Sequence, residues 1–268
     1  MSKLIFIDID GTIAAPGQPP GKDTVAAIRA ARANGHKVFV STGRLESSIS
    51  EQVRSIGFDG GIYSAGGRVV IDGKELFNRS MPAKLIGQVT GLMKEWNLYF
   101  WLETATGMYA GLDDKFLPYV SGDLIRFLEI ELNASSRKQM PDHDPVYKIV
   151  FLAESKAQAE QLAQILGSGA KVVDFGRMGP DMPVFGEISD WNIHKGAALD
   201  YICRYLEADP KDCIAFGDSL NDMEILQAAG IGIAMGNANK RVKELADQVC
   251  ERCDEDGVAK ALARLGLI

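Results

Sequence analysis

Cysteine is scarce, basic runs are absent, and no apolar stretch approaches the ~20 residues that a membrane helix requires. Each absence narrows the choice. Four cysteines in 268 residues cannot build the disulfide framework that replaces a hydrophobic core in small secreted domains. Cys203 falls in an apolar helical stretch, Cys213 opens a strand, and only Cys250 and Cys253 have the spacing of metal or redox ligands. A lone Cys-x-x-Cys without a second pair reads as two reduced structural thiols. A net charge of -7 with no clustered lysine or arginine argues against nucleic-acid or membrane partners and points to small ones. Asp8 interrupts the N-terminal apolar run too early for a secretion signal, so a cytoplasmic location is expected. Internal repeats and low-complexity tracts are missing too, and nothing in the sequence speaks to oligomeric state.

What is present is an ordinary globular composition, 46% hydrophobic and 24% charged, with chain enough for one sizeable core and a second, smaller one. Residues 4–9 are apolar except for Asp8 and lead into Gly11-Thr12 and a Pro/Gly-rich stretch, the pattern of a buried strand ending in a loop. A helical period through Val25, Ile28 and Ala31 stops at Asn34-Gly35, and residues 37–41 form the next apolar run. Strand, helix, strand is the signature of a parallel βαβ unit. A further strand near 62–65 and a hairpin through 68–76 follow.

At Pro82 the texture changes to a helix up to Trp96, paired strands over 99–102 and 107–110, and a strand, helix, strand, strand run over 146–188. After Ser189 the first pattern returns: helix 195–206, strand 213–217, helix 222–229, strand 232–235. The expected fold is therefore α/β, a doubly wound, Rossmann-like parallel-sheet core in two pieces, 1–81 and 189–268, with an α+β domain inserted at 82–188.

Four short signals lie at the predicted strand and helix ends. Asp8-Ile9-Asp10-Gly11-Thr12 closes the first strand, and side chains two apart on a strand point the same way, so both carboxylates can meet where open α/β sheets bind ligands. Adjacent carboxylates repel unless a proton or cation lies between them, and a hard divalent ion such as Mg²⁺ relieves the repulsion while attracting phosphate. Ser41-Thr42-Gly43-Arg44 closes the second strand with a hydroxyl and free backbone N–H groups suited to phosphate oxygens. Lys195, in His194-Lys195-Gly196, opens a helix, where a surface lysine would be unremarkable. Gly217-Asp218-Ser219-Leu220-Asn221-Asp222 ends a late strand; Asp218 and Asp222, four apart, share a face if a helix starts there, although Ser219 or Asn221 could simply cap it.

In this order and spacing the four signals resemble those of the haloacid dehalogenase superfamily of phosphatases. More narrowly, TGR, HKG and GDSLNDMEIL, with an insertion between the second and third motifs, are similar to the Cof-type (type IIB, C2-capped) branch with its large α/β cap. The resemblance implies a Mg²⁺-dependent phosphatase acting on small phosphorylated metabolites, sugar phosphates or related monoesters, through an aspartyl-phosphate. It implies that Asp8 is the nucleophile and Asp10 the general acid/base. Mg²⁺ would be held by the Asp8 side chain, the Asp10 carbonyl and Asp218, with Ser219 or Asp222 supporting the metal shell. The phosphoryl oxygens would lie against the Ile9 amide, Thr42, Gly43, Lys195 and Asn221, with Arg44 also counted among the substrate and phosphate contacts. One departure bears on this: Ala65-Gly66-Gly67 stands where the branch often has Asn-Gly after the third strand, which puts a substrate contact from that loop in doubt; the name-giving dehalogenases are disfavoured, because they lack the second Asp present here. A phosphomutase of related architecture, or a protein that binds sugar phosphates without turnover, would share much of the pattern. The insertion is expected to act as a substrate-selecting cap, with Glu103, Arg126, Lys148 and Arg177 as candidate contacts.

Overall fold

The computed structural model describes residues 2–15, 17–110, 142–177 and 183–268. Five strands precede the middle segment: β1 (Leu4–Ile7), β2 (Lys37–Ser41), β3 (Gly60–Tyr63), β4 (Arg68–Ile71) and β5 (Lys74–Asn78). Within it the described residues form β6 (Tyr99–Thr104), β7 (Met108–Ala110), β8 (Val146–Ala153), β9 (Lys171–Arg177) and β10 (Val184–Ser189). Three follow: β11 (Cys213–Gly217), β12 (Ile231–Ala234) and β13 (Gln248–Val249). The chain divides into two compact units, Met1–Asn78 with His194–Ile268, and Arg79–Ile193. These divisions lie a few residues from the expected 81/82 and 188/189, because Met81 and Ile193 already pack in the second unit's core and the Met81 amide donates to the Val146 carbonyl.

The first unit is a sheet in the order β13-β12-β11-β1-β2-β3-β4-β5, parallel up to β3 and closed by the antiparallel β4 and β5. Every residue of β1 is buried, which is why the strand reads as a continuous apolar run instead of alternating. Its Phe6 stacks on Phe39 of β2 with ring centroids 5.1 Å apart. Helix α1 (Lys22–Ala33) buries Thr24, Ala27, Ile28 and Ala31 at helical spacing and ends at Asn34, where Gly35 takes a φ of +88° that favours glycine. All four cysteines are buried free thiols; the Cys203 and Cys213 sulfurs lie 3.2 Å apart, and the Cys250 thiol donates to the Met235 sulfur. No helix among the described residues is long and apolar enough to cross a membrane.

The second unit is an antiparallel sheet in the order β7-β6-β8-β10-β9. Phe100, Ile149, Phe151, Val184 and Ile188 pack with Leu85, Val89 and Met93 of helix α2 (Ala83–Glu95) and with Ala159, Leu162 and Leu166 of α3 (Lys156–Leu166). Mid-strand, Lys148 pairs in register with Glu103, and its ammonium lies 2.6 Å from Glu187 Oε1 and 3.3 Å from Glu103 Oε2. Burial pushes the Glu103 carboxyl up to about 7, while the two carboxylates overcome the opposing effect of burial on Lys148 and hold its ammonium above its ordinary value. The Arg177 guanidinium donates to the Glu154 carbonyl, and Arg126 lies outside the described residues.

Phe151 is fully buried, and its ring fills the space a Cβ on Gly186 would occupy. Phe151→Ala is therefore expected to cost about 3–5 kcal/mol of folding free energy. Chemical denaturation of the full chain checks this; a loss under about 1 kcal/mol would mean the second core tolerates the cavity by collapsing.

Candidate active site

Chain order in the large sheet reverses at β1, which has β2 on one side and β11 on the other. The carboxyl ends of strands at such a reversal leave a crevice, and this is where open α/β sheets bind ligands. Asp8 follows β1, Thr42 follows β2 and Asp218 follows β11, so three of the four sequence signals arrive there by topology alone.

The first signal is built differently from the expectation. β1 ends at Ile7, two residues short of the predicted 9, because the amides of Thr12, Ile13 and Ala14 all donate to the Ile9 carbonyl and turn the chain. Asp8 and Asp10 are therefore not successive same-face residues of a strand. Asp8 is 5% exposed and faces the sheet crevice; the Asp10 side chain is 45% exposed, and its carboxylate accepts from Arg44 Nε and Nη2, both at 2.7 Å. Gly11 takes a φ of +79°, and a Cβ there would stand 2.2 Å from Asp218 Oδ2, so the turn lies directly against the third carboxylate.

Lys195 is far from the surface lysine its local sequence suggests. It opens helix α4 (Lys195–Tyr205), whose N-terminus is capped by His194 Nδ1 accepting from the Ala197 amide at 3.1 Å, and it is fully buried. Its ammonium donates to Asp8 Oδ1 at 2.7 Å and to Asp222 Oδ1 at 2.6 Å. Asp222 is held in turn, since its Oδ2 accepts from the amides of Asp218 and Ser219 at 3.1 and 3.0 Å. Gly66, at φ +110°, lets the loop after β3 press on this helix start: a Cβ there would lie 2.4 Å from the His194 carbonyl. The Ala-Gly-Gly departure thus packs against the lysine's own peptide.

Asp8, Asp218 and Asp222 each bring a carboxylate oxygen within 4.8 Å of the others. Burial, and then the neighbouring acids Asp222, Asp218 and Asp10 against the pull of Lys195, raise the Asp8 carboxyl well above its ordinary value. Burial and the charge on Asp222 push Asp218 up to about 7. Asp218 Oδ1 is buried with no hydrogen-bond partner, as are the hydroxyls of Thr12, Ser41 and Ser64. Crowded carboxylates with an orphaned oxygen form the hard, oxygen-only donor set that suits a divalent cation.

The remaining predicted residues lie in the segments that follow β1, β2 and β11. Ser219 donates through its hydroxyl to Asn221 Oδ1 at 2.8 Å, and Thr42 Oγ1 accepts from the Arg44 amide at 3.1 Å. Ile9 lies in the turn after β1, and Gly43 just beyond β2. Arg44, counted among the substrate and phosphate contacts, has its guanidinium on the Asp10 carboxylate. One residue escaped the sequence reading altogether. Asn237 donates through Nδ2 to the Gly11 carbonyl at 2.8 Å and to Asp218 Oδ2 at 3.4 Å, while its Oδ1 accepts from the Cys253 amide. The signal was its position, in Gly236-Asn237 just past β12, another tip of the same parallel sheet.

A carboxyl raised in the folded state stabilises it in full below the unfolded value and loses that contribution as pH rises through the folded one. Without divalent metal, Asp218 should therefore lower stability between about pH 4 and 7, with Glu103 acting in the same direction. Asp218→Asn should flatten the fall in melting temperature over that range. An unchanged slope would mean that Asp218 titrates near its ordinary value.

Residues 5–262 match the family model for haloacid dehalogenase-like hydrolases. The chain is 27% identical to the phosphatase YwpJ of Bacillus subtilis, over 98% of this chain and 99% of that one. It is 29% identical to the HMP-PP phosphatase of Yersinia enterocolitica, over 98% and 94%. Among solved structures it superposes with a TM-score of 0.83 at 25% identity on BT1666 of Bacteroides thetaiotaomicron, described among the phosphatases of the same superfamily, covering 100% of this chain and 96% of that one. The family match spans both sheets and every motif at the strand ends: the chain belongs to the haloacid dehalogenase-like hydrolases.

Proposed function

We propose that the chain is a Mg²⁺-dependent phosphatase of small phosphorylated metabolites that works through an aspartyl-phosphate on Asp8. The observation that carries this reading is the buried Lys195 ammonium on Asp8 Oδ1, beside carboxylates that need further positive charge. Lys195 neutralises part of the charge that a phosphoryl group brings, and its hold on Oδ1 orients Asp8 so that Oδ2 is free to attack phosphorus. Asp222 keeps Lys195 in place from the opposite side. Asp8, Asp218 and the Asp10 carbonyl would hold Mg²⁺, with Asp222 or Ser219 supporting them, and the bound ion would supply positive charge to the phosphoryl oxygens. Thr42, the amides of Ile9 and Gly43, and Asn221 would surround those oxygens. Asp10 would protonate the leaving alcohol as the P–O bond breaks, then take a proton from the water that cleaves the intermediate. The name of one relative, an HMP-PP phosphatase, favours a small phosphorylated substrate.

The proposed chemistry draws only on the first unit, which leaves residues 79–193 free to select the leaving group. Exchanging that segment for the equivalent segment of a relative is expected to change the ranking of sugar phosphates while Mg²⁺ dependence persists. A chimera that keeps the parental ranking would put selectivity in the first unit.

The reading as a whole is tested by release of inorganic phosphate from a panel of sugar phosphates, nucleotides and an aryl phosphate. Release should require Mg²⁺, stop on chelation, and fall about a thousandfold or more in Asp8→Asn, with the variant still folded. Undiminished turnover after chelation would remove the metal from the mechanism, and near-normal turnover by Asp8→Asn would move the nucleophile elsewhere.

A further inference from the structure

The Arg44–Asp10 pair is a two-point contact, Nε on Oδ2 and Nη2 on Oδ1, in which the planar guanidinium fixes both the position and the plane of the carboxylate. Arg44 is itself anchored: its amide donates to Thr42 Oγ1, and its carbonyl accepts from the Ser64 amide at 2.9 Å. The pair thus ties the turn after β1 to the ends of β2 and β3. With side chains 27% and 45% exposed, it is too wet to add much stability, so stability does not account for its geometry. Orientation does. An aspartate this exposed would otherwise sample several rotamers, and proton transfer is sensitive to the alignment of donor and acceptor.

Resting on the phosphatase reading, we propose that Arg44 is a positioning residue: it holds the Asp10 carboxyl in line for proton transfer and does not grip the phosphoryl group. In the first half-reaction an Asp8 oxygen bonds to phosphorus, the bond from phosphorus to the leaving oxygen breaks, and the Asp10 proton passes to that oxygen. In the second, water bonds to phosphorus, its proton goes to Asp10, and the Asp8–phosphorus bond breaks to release phosphate. When Asp10 is protonated, the oxygen that carries the proton gives up its guanidinium N–H while the other keeps its own, so one point of the contact persists through both halves.

The test compares an aryl phosphate, whose phenolate leaves without help, with an alkyl phosphate, whose alkoxide needs the proton. kcat/KM reports the first half-reaction, and Arg44→Gln should lower it at least about tenfold more on the alkyl than on the aryl ester. Asp10→Asn should show the same bias, and adding Arg44→Gln to it should deepen the bias by less than about threefold, the mark of one shared function. Arg44→Lys, with a single point of contact, should fall between wild type and Arg44→Gln, and inhibition by inorganic phosphate should stay as in wild type. Equal losses on both esters with weaker phosphate inhibition would overturn the proposal in favour of a phosphate-holding Arg44; equal losses with unchanged inhibition and a lower melting temperature would reduce it to a structural residue. Wild type inactive on both esters would bring down the phosphatase reading itself, whereas an unbiased Arg44→Gln in an active background refutes only the positioning role.

Discussion

The Lys195 ammonium lies at full burial between Asp8 and Asp222, and the other contacts of the site are arranged around it. Taking an ammonium and two carboxylates out of water costs several kcal/mol per ion, repaid only when each remaining lone pair and proton is engaged. The engagement is visible. Asp222 spends its second oxygen on two backbone amides, His194 caps the helix that carries the lysine, and Gly66 admits the loop after β3 against the peptide before it. Asp8 and Asp218 are less well served, because one lysine stands against three carboxylates. Burial, and then this surplus of negative charge, raises the carboxyls of Asp8 and Asp218, and the surplus suits the cluster to a cation.

Topology makes such an arrangement possible across 187 positions of sequence, the separation of Asp8 and Lys195. With β1 at the point where strand order reverses, the segment after it, the segment after β2 and the segment after β11 all emerge at one edge. The inserted unit adds length between the second strand and the lysine without moving any of these tips, since it has a sheet and a core of its own. The parallel order of the strands therefore does for the site what no local sequence pattern could do.

That explains what the sequence discloses and what it withholds. Buried parallel strands are continuous apolar runs, so residues 4–7, 37–41 and 213–217 stand out, and the polar residue that ends each run marks the crevice. The end of β1 is not legible in the sequence, because Ile9 is apolar like the strand before it, while the hydrogen bonds that turn the chain come from the backbone of 12–14. Lys195 looked like a surface residue because burial of a lysine depends on partners brought by other strands. Asn237 and the Arg44–Asp10 pair were hidden for the same reason: a hydrogen bond between distant loops leaves no periodicity behind.

The second unit supplies an internal comparison. Glu103, Lys148 and Glu187 are also a buried lysine between carboxylates, one acid is again pushed up to about 7, and Glu103 even keeps a buried oxygen without a partner. Burial, a raised carboxyl and an ion cluster therefore do not by themselves distinguish a reactive site from a structural one. Position does. Glu103, Lys148 and Glu187 lie on three neighbouring strands of the second sheet, where backbone groups are drawn into the ladders between strands. Asp8 and Asp218 sit one residue beyond their strands, where the ladder has ended and glycines bring backbone against side chain. At that edge a third carboxylate and several unpartnered hydroxyls leave the single ammonium of Lys195 outnumbered, whereas Lys148 stands against only two carboxylates.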